Sequence, residues 1–146
     1  MFNAAFTSFG DDGLDLYPAP PHAEIDAVKA LVYADINNGV YKCGLASSQA
    51  AYEEAFDALF DALDEIERRL GQQRYLVSGR LTEADWSLFT TLLLFDAVYA
   101  GHFNCNLRRM EDYPHLSNYL RELYQVPGNA ETVNMDHIKR HYYQSR

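Results

Sequence analysis

The segment from Leu81 to Ala100, LTEADWSLFTTLLLFDAVYA, carries apolar side chains around most of the circumference of a helix. A helix that is apolar on all sides lies either in the core of a protein or in a membrane. Asp96 interrupts the apolar run, which also falls short of the ~20 residues that span a bilayer. The segment therefore predicts a central buried helix that other helices must surround.

Amphipathic patterns supply those other helices. Apolar residues recur at helical spacing over 25–36, and the Asn-Asn-Gly at 37–39 predicts that this helix ends there. A longer pattern covers 52–70, and shorter helices are predicted from Pro114 and from about Asn134. No stretch alternates as a half-buried strand would, so we predict an all-α fold in a single domain of 146 residues.

Thr82 and Asp85 frame the start of the central helix. The spacing is that of a capping box in which Asp replaces the usual Glu. The Thr hydroxyl accepts from the third amide of the helix, and the Asp carboxylate accepts from the Thr amide. We therefore expect both residues to serve folding and not chemistry.

Composition and charge exclude several classes of protein. The formal net charge is −9 and no basic run is present, which argues against a nucleic-acid partner. The acidic residues cluster on one predicted helix, where we interpret them as a solvated face: Glu53, Glu54, Asp57, Asp61, Asp64, Glu65 and Glu67. The N-terminal residues do not resemble a signal peptide, and two cysteines are too few for a disulfide framework, so we predict a cytoplasmic protein that does not insert into membranes.

Two groups of residues could carry chemistry, and each has a structural alternative. His137 and His141 share a helix face at the spacing of zinc ligands, but no further ligand accompanies them, so we predict no metal. His102 could polarise the thiol of Cys105, yet a free cysteine is more often a small apolar core residue.

Asp96 and Tyr41 each have a structural and a functional interpretation. A carboxylate in a buried helix needs a partner, and a neighbouring loop, Arg108 or Arg109 could provide it. The aromatic ring of Tyr41 beside Cys43 either packs on the core or lines a pocket, and the residues alone favour packing.

Read in order, the motifs resemble one family. They resemble the C-terminal half of the glutathionyl-hydroquinone reductases, the xi class of glutathione transferases, over nearly the whole chain. NNGVYK and HIKRHYY are specific to that class, whereas LTEADW is shared by glutathione transferase C-terminal domains generally. The segments that carry the likeness are MFNAAF, LYP, INNGVYKCGLASSQAAYEEAF, RYL, LTEADWSLF, FDAVYAGHFNCN, DYPHLSNYLRELYQVPG and ETVNMDHIKRHYYQSR.

The resemblance implies a two-domain enzyme of which this chain is one part. In the family, a thioredoxin-like N-terminal domain binds glutathione and carries a nucleophilic cysteine, and a helical bundle supplies the aromatic substrate pocket. The cysteine takes glutathione from a glutathionyl-hydroquinone as a mixed disulfide, which a second glutathione resolves. Residues 1–21 then correspond to a lead-in from the thioredoxin-like domain, and residues 22–146 to the helical domain.

The resemblance also assigns the site residues. Tyr41 and Tyr142 correspond to two tyrosines that line the hydroquinone pocket, where a phenol can hydrogen-bond a quinol oxygen and stack on its ring. Neither Cys43 nor Cys105 matches the motif of the nucleophile, so no catalytic residue is expected in this chain, and the chain alone is expected to be inactive. The implied partners are the thioredoxin-like domain, a hydroquinone, glutathione bound mainly by that domain, and a second copy in a homodimer.

Another class of protein remains open at this stage. A non-catalytic interaction module with a transferase-like helical fold would have the same core pattern. Such a module would have no reason to keep both pocket tyrosines, so Tyr41 and Tyr142 separate the two hypotheses.

Overall fold

The computed structural model describes residues 15–145, and within that range the predicted all-α class is confirmed. No β-strand occurs in the described chain; the only pairing of that kind is an isolated bridge between Val77 and Arg80. Residues 1–14 of the predicted lead-in lie outside the described residues. Its remainder, 15–21, is not helical and contacts the helices: the Tyr17 hydroxyl donates to Asp26 at 2.9 Å and the Leu16 carbonyl accepts from the Glu83 amide at 2.9 Å.

The first helix is longer than the sequence predicts. Helix α1 spans His22–Leu31, continues through a π-helical segment at Val32–Asn37, and continues again as α2 over Asn38–Gly44. The prediction that it ends at 37–39 is therefore wrong. The side chain of Asn37 donates to the Ser87 carbonyl at 3.1 Å and accepts from the Thr91 hydroxyl at 2.8 Å, so it joins two helices and does not form a turn.

The second amphipathic pattern forms the longest helix. Helix α3 spans Gln49–Leu70; the Ser48 side chain caps it by accepting from the Ala51 amide at 3.2 Å, and Gly71 is its C-cap. Its apolar side packs on α2, and the acidic side chains predicted to face solvent are exposed or partly exposed. Glu67 has a further role, because its carboxylate accepts from the amides of His115 and Leu116 at 2.9 and 2.7 Å, at the start of the next long helix.

The all-round apolar segment is the central helix, as predicted. Helix α4 spans Glu83–Leu94, passes through a second π-helical segment at Phe95–Tyr99, and ends as the short α5 at Ala100–His102. The region from 22 to 37 packs on one side of it and α6, Pro114–Tyr124, on another. Its largest inward side chains are fully buried or nearly so: Leu88, Leu92 and Phe95.

Asp85 does more than cap this helix. Its carboxylate accepts from the Thr82 amide at 2.7 Å, which is the bond that the capping box assigns to Asp85. The Thr82 hydroxyl donates to the same carboxylate at 2.9 Å, and the Leu76 amide and the Tyr119 hydroxyl donate at 3.0 and 2.7 Å. Asp85 is 0% exposed, so one buried carboxylate joins the helix start, the preceding loop and α6.

Asp96 was expected to be buried and is instead exposed. Of its proposed partners, the loop is the correct one, because the carboxylate accepts from the Met110 amide at 2.8 Å. Arg108 pairs with Asp64, and Arg109 with Glu111 at 3.1 Å. Asp96 therefore shapes the connection between α5 and α6.

The last helix, α7, spans Met135–Gln144 and begins where the sequence predicts. The Asn134 side chain accepts from the His137 amide at 2.9 Å and caps it. No residue of α7 is fully buried, although Ile138 and Tyr142 pack against the core. A few side chains hold α7 against the second π-helical segment, and these side chains lie close to one another.

Candidate functional site

Three tyrosine hydroxyls meet where α2, the second π-helical segment and α7 approach one another. The hydroxyl oxygens of Tyr41 and Tyr142 are 2.7 Å apart. That of Tyr99 is 3.2 Å from Tyr142 and 3.5 Å from Tyr41. The two tyrosines singled out from the sequence, 101 positions apart, are thus in direct contact.

The three tyrosines differ in how far they face solvent. Tyr41 is 39% exposed and Tyr142 is partly buried, whereas Tyr99 is 4% exposed. Burial, followed by hydrogen bonds to the other two phenols, raises the pKa of Tyr99 well above its ordinary value. Burial also raises the pKa of Tyr142. Both groups are therefore neutral phenols near pH 7, able to donate a hydrogen bond.

Phe103 forms the base of the cluster. Its ring centroid lies 5.3 Å from that of Tyr41, 5.4 Å from Tyr99 and 6.1 Å from Tyr142. Ring contacts at such separations, edge-to-face with Tyr41 and Tyr142 and tilted with Tyr99, favour fixed ring orientations. Phe103 therefore helps to aim all three hydroxyls.

Gly44 makes that position of Phe103 possible. A Cβ atom added to Gly44 would lie 2.3 Å from Cγ of the Phe103 ring. The ring is clamped among the three tyrosines and cannot move aside as a flexible side chain would. Gly44 and Phe103 were not predicted as site residues, because a close approach between residues 44 and 103 leaves no mark in the local sequence pattern.

We expect Gly44→Ala to displace Phe103 and loosen the cluster. Overpacking of this kind typically costs about 1–3 kcal/mol of unfolding free energy, measurable by denaturant titration. Gly39→Ala is the matched control in the same helix, because its added Cβ would meet Leu59 at 3.4 Å, close to ordinary contact. Equal stability of the two variants would contradict this account of Gly44.

The remaining candidates from the sequence lie outside the group of three hydroxyls or are buried, although the ring centroid of His141 is 5.2 Å from that of Tyr142. His137 and His141 are exposed on α7, and among residues 15–145 no three His, Cys, Asp or Glu side chains are grouped to hold a metal ion. His102 stacks on Phe103 with centroids 5.3 Å apart. Within residues 15–145, His102 makes no hydrogen bond to the thiol of Cys105, which contacts Cys43.

The contact between the two cysteines was not predicted. Cys43 is 4% exposed and Cys105 is 0% exposed. The Cys105 thiol donates weakly to the carbonyls of Phe103 and Val40 at 3.8 and 4.0 Å, and the neighbouring thiol of Cys43, together with burial, raises its pKa. The neighbouring Cys105 thiol lowers the pKa of Cys43, but a nucleophilic cysteine must also be accessible to its substrate, and both thiols are buried.

Tyr41 also lines an open groove between α2 and α3. The groove includes Asn38, Leu45, Ala51 and Ala55 along its walls. Separately, no helix in the described part of the chain combines the length and apolar content needed to cross a membrane.

The chain matches one family model and several known proteins. The family model described as "Glutathione S-transferase, C-terminal domain" matches residues 49–122. The glutathionyl-hydroquinone reductase YqjG of Escherichia coli K12 is 50% identical over 145 residues, which cover 99% of this chain and 44% of the relative. The glutathionyl-hydroquinone reductase PcpF of Sphingobium chlorophenolicum is 51% identical over 145 residues, covering 99% of this chain and 46% of that relative.

Solved structures give the same result. The glutathione-bound structure of YqjG has a TM-score of 0.96 and 49% identity, covering 100% of this chain and 47% of its own. The xi transferase of Phanerochaete chrysosporium has the same TM-score and identity, covering 100% and 48% of the two chains. This chain therefore spans about half the length of the relatives it matches, and the resemblance inferred from the motifs is confirmed.

Proposed function

Because the chain belongs to the glutathione S-transferase C-terminal domain family, we propose that it forms the substrate-binding helical half of a reductase that removes glutathione from glutathionyl-hydroquinones. The observation that carries the proposal is the pair of phenol hydroxyls of Tyr41 and Tyr142, 2.7 Å apart at the edge of an aromatic cluster. Relatives that are half identical to this chain are named for that activity.

The phenols suit a quinol for two reasons. A phenol hydroxyl can donate to a quinol oxygen and its ring can pack against the quinol ring. Because burial raises the pKa of Tyr142, the hydroxyl keeps its proton near neutrality and can stabilise charge that develops on the substrate oxygen. We therefore assign substrate binding to Tyr41 and Tyr142.

The other half of the reaction belongs, in this proposal, to a thioredoxin-like domain. That domain would bind most of the glutathione and provide the nucleophilic cysteine, and residues 1–21 would lead from it into the helical domain. The burial of Cys43 and Cys105 supports this division, because neither thiol is placed to attack a substrate.

A chimera tests the proposed function. We would replace the matching 44% of the E. coli relative with this chain and assay release of glutathione from a glutathionyl-hydroquinone. The chimera is expected to turn over, because the missing nucleophile is restored beside the phenol pair. The 146-residue chain alone, the control, is expected to show no glutathione-dependent turnover.

Two outcomes would contradict the proposal. A folded chimera with no turnover would favour the alternative, a non-catalytic interaction module. Turnover by the chain alone would show that Cys43 or Cys105 is catalytic after all.

We further propose a cytoplasmic homodimer. Large apolar side chains that the domain leaves in solvent support self-association: Tyr33 is 65% exposed and Leu45 is 75% exposed. Two buried free thiols suit a reducing compartment. Sedimentation analysis of the wild type and of Leu45→Lys would show whether the exposed surface around Leu45 joins two copies.

A further inference from the structure

The three phenols have only three protons to share among themselves and any substrate. A phenol hydroxyl donates one hydrogen bond and accepts up to two. The contact between Tyr41 and Tyr142 already uses one of their two protons, whichever residue donates. The pair on its own therefore has a single proton free for a substrate oxygen.

Tyr99, the buried phenol, decides how the three hydroxyl protons are arranged. Within residues 15–145, the hydroxyl of Tyr99 has no hydrogen-bond partner other than Tyr41 and Tyr142. A buried hydroxyl nearly always makes a hydrogen bond, and the protein acceptors within reach of Tyr99 are the other two phenols. At 3.2 Å, against 3.5 Å to Tyr41, Tyr142 is the acceptor with the better distance.

We propose that Tyr99 is a positioning residue whose hydroxyl donates to Tyr142, so that Tyr142 donates to Tyr41 and the proton of Tyr41 points toward the substrate oxygen. This inference rests on the proposed function, and it specifies which phenol contacts the substrate oxygen as donor. Tyr41 is the most exposed of the three, as the terminal donor of such a chain must be. Successive hydrogen bonds in one direction polarise each other, so the terminal proton becomes a stronger donor.

The electrostatics of the cluster agree with this order. Burial raises the pKa of Tyr99, and the hydrogen bonds to Tyr142 and Tyr41 raise it further, as expected of the group that keeps its proton as a donor. Burial also raises the pKa of Tyr142, and the hydrogen bond with Tyr99 opposes that rise, as a bond donated to Tyr142 would.

Tyr99→Phe in the chimera tests the inference. The ring is retained, so contacts with Phe95 and Phe103 survive and the variant should fold. Loss of one neutral hydrogen bond is expected to lower kcat about 3- to 10-fold, with little change in KM. In a Tyr142→Phe background the same change should have no further effect, because Tyr99 acts through Tyr142.

The pH profile gives a readout that a structural role would not move. A hydrogen bond donated to a phenolate stabilises the anion, so its removal raises the pKa of the acceptor phenol. In Tyr99→Phe the alkaline limb of kcat/KM should therefore shift to higher pH. Tyr113→Phe is the matched control: Tyr113 is 3% exposed, and its hydroxyl bonds Asp64 and Arg108, outside the cluster.

A measurement without substrate separates this inference from the proposed function. The 146-residue chain is labelled with 3-fluorotyrosine, and the ¹⁹F resonance of Tyr142 is assigned as the one that Tyr142→Phe removes. That resonance should move in Tyr99→Phe and stay in place in Tyr113→Phe. An unmoved Tyr142 resonance, or a Tyr99→Phe chimera that matches the Tyr113→Phe control in kcat and pH profile, would overturn the positioning role. An inactive chimera with a moved resonance would overturn the proposed function alone.

Discussion

Asp85→Ala is expected to lower the free energy of unfolding by about 3–5 kcal/mol, well beyond the ~1–2 kcal/mol of a lost N-cap. The substitution removes the acceptor of four hydrogen bonds from Thr82, Leu76 and Tyr119. Each buried donor left unsatisfied costs about 1–3 kcal/mol, with the sum reduced where the structure relaxes. Small domains have only ~5–15 kcal/mol in total, so the variant should melt far below the wild type.

Denaturant titration of the 146-residue chain measures this effect. Asp61→Ala is the control, because Asp61 is an exposed acid on α3 and its loss should change stability by less than ~0.5 kcal/mol. If Asp85→Ala were no more destabilising than this control, the carboxylate would not be the structural centre that its contacts suggest. A loss of ligand affinity at unchanged stability would instead assign Asp85 to the site.

Tyr41→Phe and Tyr142→Phe are each expected to slow glutathione removal by the chimera about 10- to 100-fold. A preorganised hydroxyl at a developing oxyanion can contribute more than this, but Tyr41 is 39% exposed and water can partly replace it. Because the two hydroxyls share one hydrogen bond, the double variant should lose less than the two single losses combined. Single-turnover kinetics of the four proteins would measure this coupling.

Tyr33→Phe is the matched control for this pair. Tyr33 is 65% exposed, lies in the first π-helical segment, and should tolerate loss of its hydroxyl without effect. Tyr143, the neighbour of Tyr142 in α7, is a poorer control, because its hydroxyl donates to the Ala97 carbonyl at 3.1 Å and helps to hold α7 in place. If both single variants keep full turnover, Tyr41 and Tyr142 are packing residues.

Local signals predicted the helices well where packing agrees with them. The amphipathic pattern over 52–70 lies within α3, and the apolar circumference of α4 correctly placed it at the centre. The same kind of signal failed at Asn37, where turn propensity lost to contacts with Ser87 and Thr91 in another helix. Tertiary contacts of this kind override propensity, and they lie ~50 residues away in the sequence.

The sequence predicted less of the site than of the fold. The residues alone offered Tyr41 as a packing or pocket residue, and only the family resemblance paired it with Tyr142, because nothing local links two tyrosines in separate helices. Tyr99 was correctly placed in the buried helix, yet its hydroxyl role depends on where two other helices end. Phe103 and Gly44 depend on a contact between ring and backbone that only the folded chain brings about.

The two π-helical segments, Val32–Asn37 and Phe95–Tyr99, have a consequence for how homologous sequences diverge. A π turn holds about one more residue than an α turn, so it can take up an extra residue without changing the register of the helix on either side. Deleting that residue from the first segment should therefore restore an ordinary α turn and leave Tyr41 facing Tyr142, whereas a second deletion would have no π turn to absorb it and would rotate Tyr41 by about 100°. We therefore expect homologous sequences that keep both phenols to tolerate a one-residue gap in this segment.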